Sequence, residues 1–134
     1  MKSGLITIAA AFCAAGLVAF PAMGEVSRLG MLDGLQPGLW AMRERNASTD
    51  ERICISSGSD FVQLRHQGKP CNQVVVSNKP NEVTVQYTCP GQGYGRTTVR
   101  KETGGLIQLD TQGISAGRPF VYAAEGRRIG SCVR

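Results

Sequence analysis

Four cysteines, Cys54, Cys71, Cys89 and Cys132, follow an apolar leader in this chain of 134 residues. An even number of thiols behind an export signal is read as two disulfides, and two cross-links constrain a short chain more than any other feature of its sequence. The leader carries a single positive charge at Lys2, an apolar run from Leu5 to Phe20, and small residues in Pro21-Ala22-Met23-Gly24. That is the layout of a secretory signal peptide over residues 1–24, cleaved after Gly24. The run is shorter than the about 20 apolar residues that a bilayer-spanning helix needs. No transmembrane segment is expected after cleavage. Cys13 leaves with the leader, and bulky Phe12 before it does not suit a lipidation site.

Residues 25–134 then form a single domain of 110 residues, able to bury roughly two-thirds of its unfolded surface. Zinc does not account for the cysteines. No two are two to four residues apart, and the chain's one histidine, His66, stands alone. Loss of Lys2 leaves 14 basic and 10 acidic residues, a mild excess that serves solubility. There is no basic run interleaved with aromatics, so nucleic-acid binding has no support.

Glycine and proline cut the chain into short pieces rich in Val, Ile, Thr and Tyr, the signature of an antiparallel β protein. The pieces are "LWAMRER", "ERICIS", "CNQVVVSN", "NEVTVQYTC", "RTTVRKE", "LIQLDTQ" and "RPFVYAAEGRRIG". About seven strands in one small antiparallel sheet are expected, as a meander or open barrel. In "NEVTVQYTC", Val83, Val85, Tyr87 and Cys89 share one face while Thr84, Gln86 and Thr88 share the other, so one face is buried. Trp40 belongs in the core. One short helix is expected where Ser57 precedes Asp60 by three residues in a capping-box arrangement, with Phe61 and Leu64 on one face and Gly68 as the stop.

Four cysteines allow three pairings. A hairpin about Pro80 sets Cys71 opposite Cys89 and leaves Cys54 for Cys132. Pairing of Cys54 with Cys71 across the helix is the competitor. The apolar faces favour a hairpin register one residue shorter, with Val74 opposite Val85 and Val76 opposite Val83, so the two arguments conflict unless a bulge absorbs a residue.

The glycines of "YTCPGQGYGRTTVR", at Gly91, Gly93 and Gly95, invite comparison with a phosphate cradle. Such a cradle needs a helix N-terminus behind it, whereas "RTTVR" is β-branched and alternating, and the spacing fits neither the dinucleotide nor the P-loop pattern. The stretch is read as a wide turn. Arg96 and Arg100 then share a strand face with Thr98, which reads as a solvated outer face or, more sharply, as a weak anion-binding strip; with Tyr94 they are the candidate binding surface. His66, with no nucleophile or second ligand near it in sequence, is read as a solvated helix residue. The carboxylates are scattered, no Cys-x-x-Cys motif is present, and no catalytic, metal or cofactor site is assigned. Asn46-Ala47-Ser48 is formally a glycosylation acceptor.

The leader, "LQPGLW" at 35–40, the cysteine of "RICIS", the hairpin cysteines ending in "YTCPG" and the closing "GRRIGSC" at 126–132 resemble a family of small exported bacterial proteins known as the domain of unknown function DUF3617. Ala41 stands where an acidic residue commonly follows the family's tryptophan. The resemblance implies a bacterial, periplasmic β-rich protein with no assigned activity and no catalytic residues to carry over. The expected function is non-catalytic: a periplasmic or secreted protein that binds an envelope ligand or protein through a sheet face. The alternatives are an inhibitor of an envelope hydrolase, presenting Tyr94 on the loop 90–95, and a hydrolase whose carboxylates assemble only on folding.

Overall fold

The computed structural model describes residues 28–133, so the leader and its cleavage site lie outside the described residues. The alternating pieces form seven strands: β1 (Gly38–Glu44), β2 (Glu51–Ile55), β3 (Asn72–Asn78), β4 (Glu82–Cys89), β5 (Gly93–Thr103), β6 (Leu106–Ser115) and β7 (Arg118–Gly130). They make one open antiparallel sheet in the order β2-β1-β7-β6-β5-β4-β3. The run from β3 to β7 is a meander. The β1-β2 hairpin does not continue it; β1 docks on β7, and the sheet opens between β2 and β3.

Crossing that opening, residues 56–71 cover the inner face. The Ser57 capping box forms, with Asp60 Oδ2 accepting from the backbone N–H of Ser56 and Ser57 at 2.8 and 3.1 Å. What it starts is not one α-helix but two short 3-10 turns, Gly58–Phe61 and Leu64–His66. A one-turn α-helix that the sequence did not signal, α1 (Gly30–Asp33), packs beside the first of them and supplies Met31 and Leu32 to the core. It has neither a side-chain cap nor the length for a periodic pattern.

The core is the inner face of the sheet pressed against these covers. Trp40 and Met42 of β1, Val83, Val85 and Tyr87 of β4, Val99 of β5, and Ile107 and Leu109 of β6 meet Leu32, Phe61 and Val62. Trp40 is fully buried, edge-on to Phe61 at 5.0 Å, and its indole N–H donates to the Gln36 carbonyl oxygen at 3.0 Å. Buried polarity is matched: Thr97 donates to the Val62 carbonyl oxygen (2.6 Å) and sits 2.8 Å from the Thr111 hydroxyl. A cleft beside Tyr122 on this side holds only about 40 Å³.

The disulfides are nested, Cys54 with Cys132 and Cys71 with Cys89. The cysteine-based register of the hairpin holds, with Val74 opposite Gln86 and Val75 opposite Val85, and the irregularity falls between Val75 and Ser77. The register drawn from the apolar faces is therefore corrected. Val75 is the inward residue of β3, while Val74 and Val76 are 66% and 45% exposed on an edge strand. The ends of the chain's signature meet across β1 and β7, where the Arg128 side chain donates to the Pro37 carbonyl oxygen at 2.8 Å.

Candidate functional site

The glycine-rich stretch resolves into a structural device. The turn is short, residues 90–92, and Gly93, Tyr94 and Gly95 already belong to β5. The expected wide turn is thus narrower, and Tyr94 is a strand residue rather than a loop tip. Gly93 has φ +117°, and a Cβ there would collide with the Ile114 backbone and approach the His66 ring. A Cβ on Gly95 would enter the Tyr87 phenol. The two glycines clear inner-face space for two rings.

Those rings correct the reading of His66. It is 4% exposed, stacked edge-on to Tyr87 at 5.3 Å, with Phe120 at 6.0 Å. Nε2 lies 3.2 Å from the Gln92 carbonyl oxygen and Nδ1 lies 3.0 Å from the Tyr87 hydroxyl. A carbonyl only accepts, so Nε2–H donates to Gln92 and the phenol donates to Nδ1. Both ring nitrogens are spent on the fold. Solvation was inferred because no partner is near in sequence; the partners come instead from β4 and the turn after it. Burial also pushes the Tyr87 phenol above its ordinary range, and it pushes Tyr122 up to about 12, with the Glu51 carboxylate adding to the effect.

The opposite, outer face carries the larger relief. A groove of about 420 Å³ lies over β4, β5, β6 and β7, lined by Gln86, Tyr94, Arg96, Gln112, Pro119 and Val121, among others. The ladder explains the assembly: Val74, Gln86, Arg96, Gln112 and Val121 stand directly opposite one another on five successive strands. Side chains so placed are about 4.5–5.5 Å apart at Cβ. A cation is thus flanked by two carboxamides, with Val74 and Val121 at the ends of the row. Tyr94, 49% exposed, stands two residues before Arg96 on the same face.

Elsewhere on this face most of the arginines are paired internally, Arg52 of β2 being an exposed exception far from the groove. Arg43 holds Asp50 at 2.7 Å, Arg45 approaches Asp110 at 3.8 Å, Arg100 meets Glu102 at 3.2 Å and Arg127 meets Glu125 at 2.9 Å. The guanidinium hydrogen bonds hold the Asp50 and Glu125 carboxyls below their usual range, with Gln108 contributing at Glu125. Among the described residues Arg96 has no ion-pair partner, and neither it, Gln86 nor Gln112 makes a side-chain hydrogen bond. The carboxylate at the adjoining ladder position, Asp110, is turned to Arg45. Of the expected strip, Tyr94 and Arg96 therefore meet at the groove while Arg100 is held by Glu102 away from it. Gln86, Gln112 and Val121 were missed, because their convergence exists only through strand pairing.

Fold and relief together define a small disulfide-tied antiparallel β protein with a covered inner face and a polar groove on its outer one. The chain belongs to the DUF3617 family: the family model described as "Protein of unknown function (DUF3617)" matches residues 35–132. No curated protein and no solved structure matches the chain. Among the described residues no three His, Cys, Asp or Glu side chains group as a metal site, and no helix is long and apolar enough to cross a membrane.

Proposed function

We propose that this is a non-catalytic binding protein of the bacterial periplasm or cell exterior, and that it takes its partner at the outer-face groove around Arg96. The observation that carries the reading is the contrast in charge pairing. The face pairs Arg43, Arg45, Arg100 and Arg127 with its own carboxylates, whereas Arg96, in a groove of about 420 Å³, has no such partner among the described residues. A charged group without a partner in its own chain, sitting in a concave site, is the natural recognition element. Two disulfides are compatible with an oxidising compartment, and the leader supports export. On the inner side the cleft beside Tyr122 holds about 40 Å³, and the histidine there has both ring nitrogens engaged.

The test is a photocrosslinking residue placed at Val121, 75% exposed at the groove, with a control at Val133, which is 91% exposed outside it. In cells exporting the protein, adducts are expected at position 121 and should be lost on Arg96→Gln. Equal adducts at both positions, or adducts indifferent to Arg96→Gln, would contradict the assignment.

A further inference from the structure

Resting on that reading, we infer that the groove recognises the free C-terminal carboxylate of an extended polypeptide whose last side chain is apolar. Charge complementarity fixes the first element. An unpaired guanidinium is a planar fork of donors that matches a carboxylate bidentately, and Arg96 is the one groove residue carrying a full charge. The second element is the pair of carboxamides. Gln86 and Gln112 stand on either side of Arg96 in the ladder, and each offers both a donor and an acceptor. A peptide end presents that mixture next to its carboxylate, as N–H and C=O groups. The third element is apolar: Tyr94, Pro119 and Val121 give the last side chain a surface to cover. The recess of about 420 Å³ lies within the range of about 300–1,000 Å³ typical of small-ligand sites.

Two other anions fit less well. A fatty acid would satisfy Arg96 but lay an alkyl chain over the two carboxamides, stripping them of water without replacing their hydrogen bonds. A peptide ending in D-alanine, as in a cell-wall stem, would supply the amides but leave the apolar wall uncovered. The polypeptide end uses all three elements.

Calorimetric titration of the intact disulfide-bonded protein with N-acetyl-Ala-Ala-Phe tests this. The free acid should bind saturably, and the corresponding C-terminal amide should bind about tenfold more weakly or worse, since it loses the charge-assisted contact. Arg96→Gln should cause a similar loss, and Arg96→Lys should restore only part of it, because an ammonium keeps the charge but not the fork. Raising the salt concentration should weaken the acid and spare the amide. The inference is overturned if no saturable binding appears up to about 5 mM, a concentration that corresponds to negligible affinity. It is equally overturned if the amide, octanoate or a D-Ala-terminated peptide binds as tightly as the acid. Should these arms fail while the Val121 adduct still depends on Arg96, the ligand class falls and the groove stands; loss of the adduct itself removes the groove.

Discussion

His66 shows how a residue type associated with chemistry can be committed wholly to packing. Its two ring nitrogens link the covering 3-10 turn to Tyr87 of β4 and to the Gln92 carbonyl, in space cleared by Gly93 and Gly95. His66→Ala should therefore cost about 2–3 kcal/mol, from the cavity and the stranded Tyr87 hydroxyl together, and Gly93→Ala should also destabilise. Denaturant melts would check both; an unchanged midpoint for His66→Ala would contradict the buried geometry. Tyr122 gives a pH prediction. Its folded-state value, about 12, lies above the ordinary 10.0 of an unfolded phenol. The neutral form is thus favoured by folding, and the associated stability is fully present below the unfolded value and lost as pH rises towards the folded one. Stability should fall between about pH 10 and 12, and fall less in Tyr122→Phe, as melts across that range would show.

At the scale of the element, β3 separates what pattern can reveal from what it cannot. Cysteine spacing about Pro80 gave the correct register, because a cross-strand disulfide needs its residues opposite each other. Apolar alternation misled, because the edge strand carries an irregularity at Val76 and leaves Val74 on the outer face. Val74→Lys should shift stability by less than about 0.5 kcal/mol, whereas Val85→Ala, directly across from Val75, should cost about 2 kcal/mol. Chemical denaturation of the two variants checks the register; a large loss for Val74→Lys would restore the apolar-face alignment. Seven strands, the capping box at Ser57 and the buried Trp40 were legible because each follows from local periodicity or a local hydrogen bond. The pairing of β1 with β7 and the row from Val74 to Val121 were not, since they depend on contacts between residues far apart in sequence, and α1 was not because it has neither a cap nor the length for a periodic pattern.

For the molecule as a whole, the two faces of the sheet divide the work. The inner face, its covers and two nested disulfides build the fold, each bridge contributing about 3–4.5 kcal/mol by the chain-entropy argument. Protein purified under oxidising conditions should accordingly show no thiol on denaturation without reductant; labelling of two cysteines would break the two-bridge account. Arg96 is the groove's one charged residue and has no ion-pair partner among the described residues, and the central claim is that this side chain serves a partner rather than the fold. Thermal unfolding of Arg96→Gln measures that directly. The account predicts a stability within about 0.5 kcal/mol of the parent, as for a surface residue with no partner in its own chain. A loss of about 1.5 kcal/mol or more, of the order of a broken charged hydrogen bond, would show that Arg96 is tied into the fold and would contradict it.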